Sequence, residues 1–317
     1  MKGHACMLAS LRLFGRLARV RPRFAVGYVI VAVVVLLAIL APVIAPYSPT
    51  EADSQNFLQP PDANHLFGTD NVGMDIFSRA IYAPRIDLTI AILGTVLSAL
   101  LGGSLGALVG YYSSGRGVKV WLSYLMMRAA DVLQAFPVFV FAIALVASLG
   151  QSIQTVVLAI AFVNAPIYLR LMRSQVLSIR SMRYVEAATV NGLSDVQTII
   201  RHVIPNAMGP VLAQLSINVG WGILLTASLS FIGAGVRAPT PEWGSMIAMG
   251  FQNVVTGQWW PSMFPGAMLA ITVFGFSLVG ASIEVLADPA RRRQLLSDAR
   301  LRGTAVAPAR HTSLEQA

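Results

Sequence analysis

The amino-acid sequence predicts an all-α membrane protein with about six transmembrane helices, and three observations carry that prediction. Apolar residues make up 56% of the 317 positions and charged residues only 12%, with a mean hydropathy of +0.67. A soluble domain carries about a quarter charged residues, so much of this chain faces lipid. Uncharged runs of about 20 residues, enough to cross a bilayer, recur along it. The basic residues, finally, segregate to one side of the arrangement those runs define.

Taken in order, the candidate spans are 24–45, 88–112, 121–149, 153–171, 208–232 and 263–286. The first is too long for the core of a cleavable signal and lacks a small-residue cleavage site before a soluble domain, so it reads as a retained helix. Trp121 and the Trp259-Trp260 pair fall at span ends, where amphipathic rings favour the headgroup layer. With the N-terminus inside, every Lys and Arg except Arg79, Arg85 and Arg237 lies in cytoplasmic segments, while Glu51, Asp53, Asp62, Asp70, Asp75, Asp87 and Glu242 lie outside. This bias predicts that both termini are cytoplasmic. It also accounts for the net charge of +9 without nucleic acid. The chain divides into a basic N-terminus (1–23), a first span with an outer segment (24–87), a transmembrane domain (88–288) and a polar, basic tail (289–317) expected to be disordered. Two long outer segments, 46–87 and 233–261, are rich in Pro or Gly; either they carry function or they simply cap the bundle.

Several chemistries are excluded or demoted. The single Cys6 rules out an intrachain disulfide. No His/Cys/carboxylate cluster has metal-ligand spacing, and catalytic residues are not expected. A phosphate-cradling P-loop needs a Gly-rich turn ending in Lys, and Lys2 and Lys119 are the only lysines. Gly102-Gly103-Ser104-Leu105-Gly106 matches a hydrolase elbow, but it sits inside an apolar span. Gly102, Gly106 and Gly110 share one helix face, the pattern of close helix packing. Arg128 and Asp131 are spaced for a structural ion pair. Asn164, Gln214 and Asn218 are candidates to line a translocation path or to bond between helices. An ion-coupled transporter acting alone would call for a buried carboxylate or His relay and an internal repeat, and the sequence displays neither.

The most informative segment is a polar loop at 181–206. Val185, Ala188, Thr189 and Gly192 follow helical spacing, and Gly192 suits the left-handed position that ends a helix. Ser194 with Gln197 forms a capping box that starts a second helix. Val196, Ile199, Ile200 and Val203 make one apolar stripe on it, and Pro205 is expected to stop it. Such a stripe needs covering by bilayer, bundle or a partner's groove. A helix-turn-helix DNA reader is disfavoured by spans only a few residues away.

Glu186-Ala187-Ala188, then Gly192, then His202-Val203-Ile204-Pro205-Asn206 resembles the EAA loop of ABC-importer permeases. Segments from His65 to Arg85, Arg128 to Pro137, Leu229 to Gly244, Phe264 to Gly266 and Asp288-Pro289 are similar to the dipeptide, oligopeptide and nickel importer branch. Met74 and Ala281 depart from its pattern. The resemblance implies a type I ABC importer transmembrane domain in the bacterial inner membrane: a first anchoring helix plus a five-helix core. It implies alternating access with a homologous second permease, two ABC ATPase subunits that bind the ATP, and an extracytoplasmic solute-binding protein. Glu186, Ala187, Ala188, Gly192, His202 and Pro205 would form the coupling helix and its exit. The branch carries peptides, nickel chelates, glutathione-like thiols and opines, with peptides the leading class.

Overall fold

A computed structural model describes residues 22–113 and 117–287. Cys6, Arg116, Asp288-Pro289 and the basic tail lie outside the described residues. The helices in order are α1 (Pro22–Ile44), α2 (Ile76–Tyr112), α3 (Val118–Ala135), α4 (Val138–Leu149), α5 (Ile153–Ile179), α6 (Arg183–Val190), α7 (Asp195–Thr198), α8 (Ile204–Phe231), α9 (Trp243–Val254) and α10 (Trp260–Ala287). A π-helical turn, Ile199–Val203, joins α7 to α8. Among the described residues, five helical stretches are long and apolar enough to cross a membrane, and α3 with α4 makes a sixth if that bent pair counts as one span.

The expected single span at 121–149 is therefore corrected. It breaks at Phe136-Pro137, where α3 and α4 meet at 92°. A residue before proline is pushed out of the helical region, and Phe136 is extended with ψ 135°. An uncharged run carries no sign of such a break. Three other boundaries move outward. Asp75 caps α2 through a 2.7 Å bond from the Ser78 amide, so the helix begins well before Leu88. The polar first turns hide their charges against the protein: Arg79 and Asp87 are 1% and 0% exposed. Likewise α5 continues to Ile179, and α7, the π-turn and α8 run together as one stretch, Asp195–Phe231.

The bundle is organised around α2. Side chains built on Gly102 and Gly106 would overlap the backbone carbonyls of Ala165 and Leu169 on α5, and one on Gly110 would come within 2.8 Å of Val176 Cβ. The three glycines are a seam between helices, and Ser104 lies within α2 rather than on a strand-to-helix turn. On its other side α2 packs against α8, where Ala91 meets Gly222. There Val34, Ala83, Leu88, Ile223, Trp243 and Phe276 form one core. The anchoring helix α1 lies on α10, tied by a 2.8 Å bond between Tyr28 and Ser282 hydroxyls.

The outer segments fold into an ordered cap. His65 Nδ1 lies 2.9 Å from Asp75 Oδ1, both buried. Arg79 donates to the carbonyls of Pro49 and Pro239 at 2.8 and 3.3 Å, joining the two outer segments. Trp260, expected among headgroups, is only 9% exposed and donates to Thr69 O at 3.2 Å. Trp259 and Trp121 are exposed.

Candidate functional site

The loop at 181–206 is built on the C-terminal ends of α2 and α5 and the N-terminal end of α8. Val185 and Ala188 turn inward, and Val185 joins a core of Tyr168, Met172, Val176, Ile179, Ile199, Val203 and Ala207. Glu186, Ala187, Thr189 and Gly192 face out. The predicted stripe on α6 is thus half buried and half presented.

Helix α6 ends in a Schellman motif. Gly192 has φ +82°, the Gly192 amide donates to Thr189 O at 3.0 Å and the Leu193 amide to Ala188 O at 3.2 Å. Among the described residues, no atom beyond its chain neighbours lies within 4 Å of where a Gly192 side chain would begin. Glycine is required by the backbone here, not by crowding. Both halves of the Ser194–Gln197 capping box are formed. Asp195, next in line, receives Lys119 Nζ at 3.2 Å and the Tyr111 hydroxyl at 3.5 Å. Arg180 donates to the carbonyls of Gly110 and Tyr111 at 3.4 and 3.2 Å. The loop is thereby clamped to the C-terminal end of α2 from both sides.

Two expectations about the second helix are corrected. Pro205 does not stop it; the proline sits in the first turn of α8, and the missing N–H is absorbed by the π-turn just before. There Ile204 N–H reaches back to Ile199 O, while the Asn206 side-chain amide donates to His202 O at 2.7 Å. The π-turn also inserts a residue into the helical register, which splits the apolar stripe. Ile199 and Val203 are buried at 3% and 0%, whereas Val196 and Ile200 are 58% and 60% exposed. Met182, Tyr184 and Val190 are exposed beside them. His202 is half-buried at the exit of the loop and Pro205 exposed.

The candidate path residues gather in the seam between α5 and α8. Gln214 Nε2 donates to Asn218 Oδ1 at 2.8 Å. Asn164 is buried with both polar atoms unbonded, as are the Asn218 amide nitrogen and the Tyr168 hydroxyl. Asn164 also lines a cavity of about 230 Å³ with Gln134, Phe136, Phe162 and Trp221. The Arg128–Asp131 pair, 3.2 Å apart, widens into a network. Arg170 of α5, assigned by the sequence to an inner loop, reaches Asp131 at 2.7 Å and also bonds Gln134.

One constellation escaped the sequence reading. Asp87 and Glu242 were counted separately as outer-loop acids; the fold buries them together. Asp87 Oδ2 accepts from the Trp243 amide at 3.2 Å, and Glu242 caps α9 by accepting from the Ser245 amide at 3.3 Å. No spacing rule links positions so far apart.

Comparison with known proteins places this architecture. Residues 102–293 match the family described as binding-protein-dependent transport system inner membrane component, and residues 13–61 match the N-terminal TM domain of oligopeptide transport permease C. The chain is 38% identical to the dipeptide transport system permease protein DppC of Alkalihalophilus pseudofirmus, over 83% of this chain and 84% of that protein. It is 38% identical to the probable D,D-dipeptide transport system permease protein DdpC of Escherichia coli, covering 82% and 85%. Against the oligopeptide transport system permease protein OppC of Bacillus subtilis the identity is 34%, covering 84% and 86%. An inward-facing structure of the MetNI methionine ABC transporter superposes with a TM-score of 0.54 at 16% identity, over 67% of this chain and 96% of that one, and so shares the fold. The chain belongs to the binding-protein-dependent transport system inner membrane component family, the permease subunits of ABC importers.

Proposed function

We propose that this chain forms half of the translocation pore of a peptide importer. It pairs with a homologous second permease, two ABC ATPase subunits that hold the ATP, and an extracytoplasmic peptide-binding protein; the chain itself does no enzymatic chemistry. The relatives named for dipeptides, D,D-dipeptides and oligopeptides support peptides over nickel chelates or opines. Both termini face the cytoplasm, a reading that rests on the distribution of Lys and Arg.

The observation that carries the proposal is the loop at 181–206. Its α6–turn–α7 unit is clamped to α2, yet it leaves Val190, Val196 and Ile200 exposed beyond the inner ends of the spans. An apolar helix surface held rigidly to a bundle suits a groove on another protein. Motion of that groove passes through Arg180 and Asp195 to α2 and through the π-turn to α8. Glu186 and the Gly192 turn position the docking helix, with His202 and Pro205 at its exit; Asn164, Gln214 and Asn218 border the path.

The test is Gly192→Asp. The space around Gly192 is open, and Asp tolerates the left-handed region better than most residues, so the variant reaches the membrane in normal amount. It abolishes peptide uptake and co-purification of the ATPase. Normal transport together with normal co-purification would overturn the assignment.

A further inference from the structure

The Asp87–Glu242 contact is absorbed by neither the pore nor the coupling loop. Both carboxyls are fully buried, and one oxygen of each, Asp87 Oδ1 and Glu242 Oε1, has no hydrogen-bond partner. Their other oxygens take the backbone amides of Trp243 and Ser245 at the start of α9. The same helix start is pinned twice more: Trp243 Nε1 donates to Ala80 O at 3.0 Å, and a side chain at Gly244 would overlap the Ala227 carbonyl of α8. The two carboxyls therefore sit at the point where the outer helix α9 seats on α2.

Among the described residues, no cation offsets them. On α8 the neighbouring polar group is the Ser230 hydroxyl, and on α9 Ser245 with the Trp243 and Gly244 amides. Helix α9 carries no charged residue, and Arg237 of the preceding connection and Arg85 of α2 are exposed. Arg79, about two turns along α2, faces Asp70 at 3.8 Å and the carbonyls of Pro49 and Pro239. Two ionised carboxylates cannot share a buried site without a counter-charge. A hard metal cation takes six or more oxygen ligands, and here two carboxyls and one hydroxyl converge.

We infer that Asp87 and Glu242 bind one proton between them and that this proton latches α9 onto α2. With the proton shared, Asp87 Oδ1 and Glu242 Oε1 form a hydrogen bond. The pair then carries a single negative charge, held by the two backbone amides at the positive end of α9. When the proton leaves to water on the outer side, two like charges face each other and α9 loosens. The sign of the pH effect follows from linkage. Burial raises the Glu242 carboxyl above its ordinary value, and so above its value when α9 is undocked and the group is hydrated. For the shared proton the sign is fixed: docking is favoured while the pair holds it and is lost as pH rises through the pair's raised value. The latch would tie the seating of α9 on α2 to the acidity of the medium.

The experiment is hydrogen–deuterium exchange of the full chain in lipid nanodiscs, following amides 243–254 between about pH 5 and about pH 8 and normalising to intrinsic exchange. Protection of α9 falls with rising pH by up to about tenfold per unit, and Glu242→Gln removes that dependence. If Glu242→Gln does not fold, Asp87→Asn serves in its place. In the wild-type protein, the infrared carbonyl stretch of a protonated carboxyl titrates away over the same range. A pH-independent α9, a slope that survives in both variants, absence of the infrared band, or protection that changes with calcium or a chelator at fixed pH would each overturn the proposal.

Discussion

At the scale of single residues, Trp243 ties the outer helix to the bundle. It is fully buried and its indole N–H is spent on Ala80 O. Trp243→Ala should cost about 3–5 kcal/mol through lost burial and the cavity left behind. Trp243→Phe keeps most of the ring and forfeits the hydrogen bond, about 1–3 kcal/mol. Thermal unfolding of the purified chain should rank wild type above Phe above Ala; an Ala variant as stable as wild type would contradict this placement. The tryptophan was readable in the sequence only as part of a loop pattern. Its partner lies 163 positions away, beyond any local rule.

At the scale of elements, the α2–α5 seam depends on glycines that permit backbone contact. Gly106→Val drives a Cβ into the Leu169 backbone and should abolish recovery of monodisperse protein from detergent. Gly103 is the internal control. A side chain there would first meet Met172 Cε at 3.8 Å, an ordinary contact, so Gly103→Ala should leave yield and stability near wild type, within about 0.5 kcal/mol. Equal damage from both would mean that helix propensity, not packing, governs the segment. The glycine row was visible beforehand because spacing by four residues fixes a helix face regardless of tertiary context. The break at Phe136-Pro137 was not, since prolines at 84, 166, 210 and 265 sit inside helices of the same chain.

For the whole molecule, the exposed surfaces describe a part of something larger. Val190, Val196 and Ile200 beside the 181–206 loop and Phe139, Leu224 and Phe231 around an open apolar cavity of about 450 Å³ are exposed, and the proposed assembly or lipid would cover them. The purified chain alone in liposomes should therefore move no peptide, with or without ATP, and uptake should appear only when the second permease, the ATPases and the binding protein are supplied. Transport by the chain alone would favour an ion-coupled carrier instead. Asp87–Glu242 is the first residue pair to mutate in that event, being a buried carboxylate site that the linear order conceals.

Composition and local pattern determined the helical membrane class, the order of the spans, the glycine seam and the turn chemistry at Gly192 and Ser194. Each depends on bulk solvation or on residues within a few positions of one another. Tertiary structure decided the rest. It bent α3 against α4, carried the helix through Pro205 on a π-turn, split the stripe at Val196 to Val203, drew Arg170 onto Asp131, and closed Asp87 on Glu242. All of these depend on which distant backbone groups and side chains are close enough to satisfy or oppose one another. A linear reading of hydropathy and charge counts such groups but does not pair them.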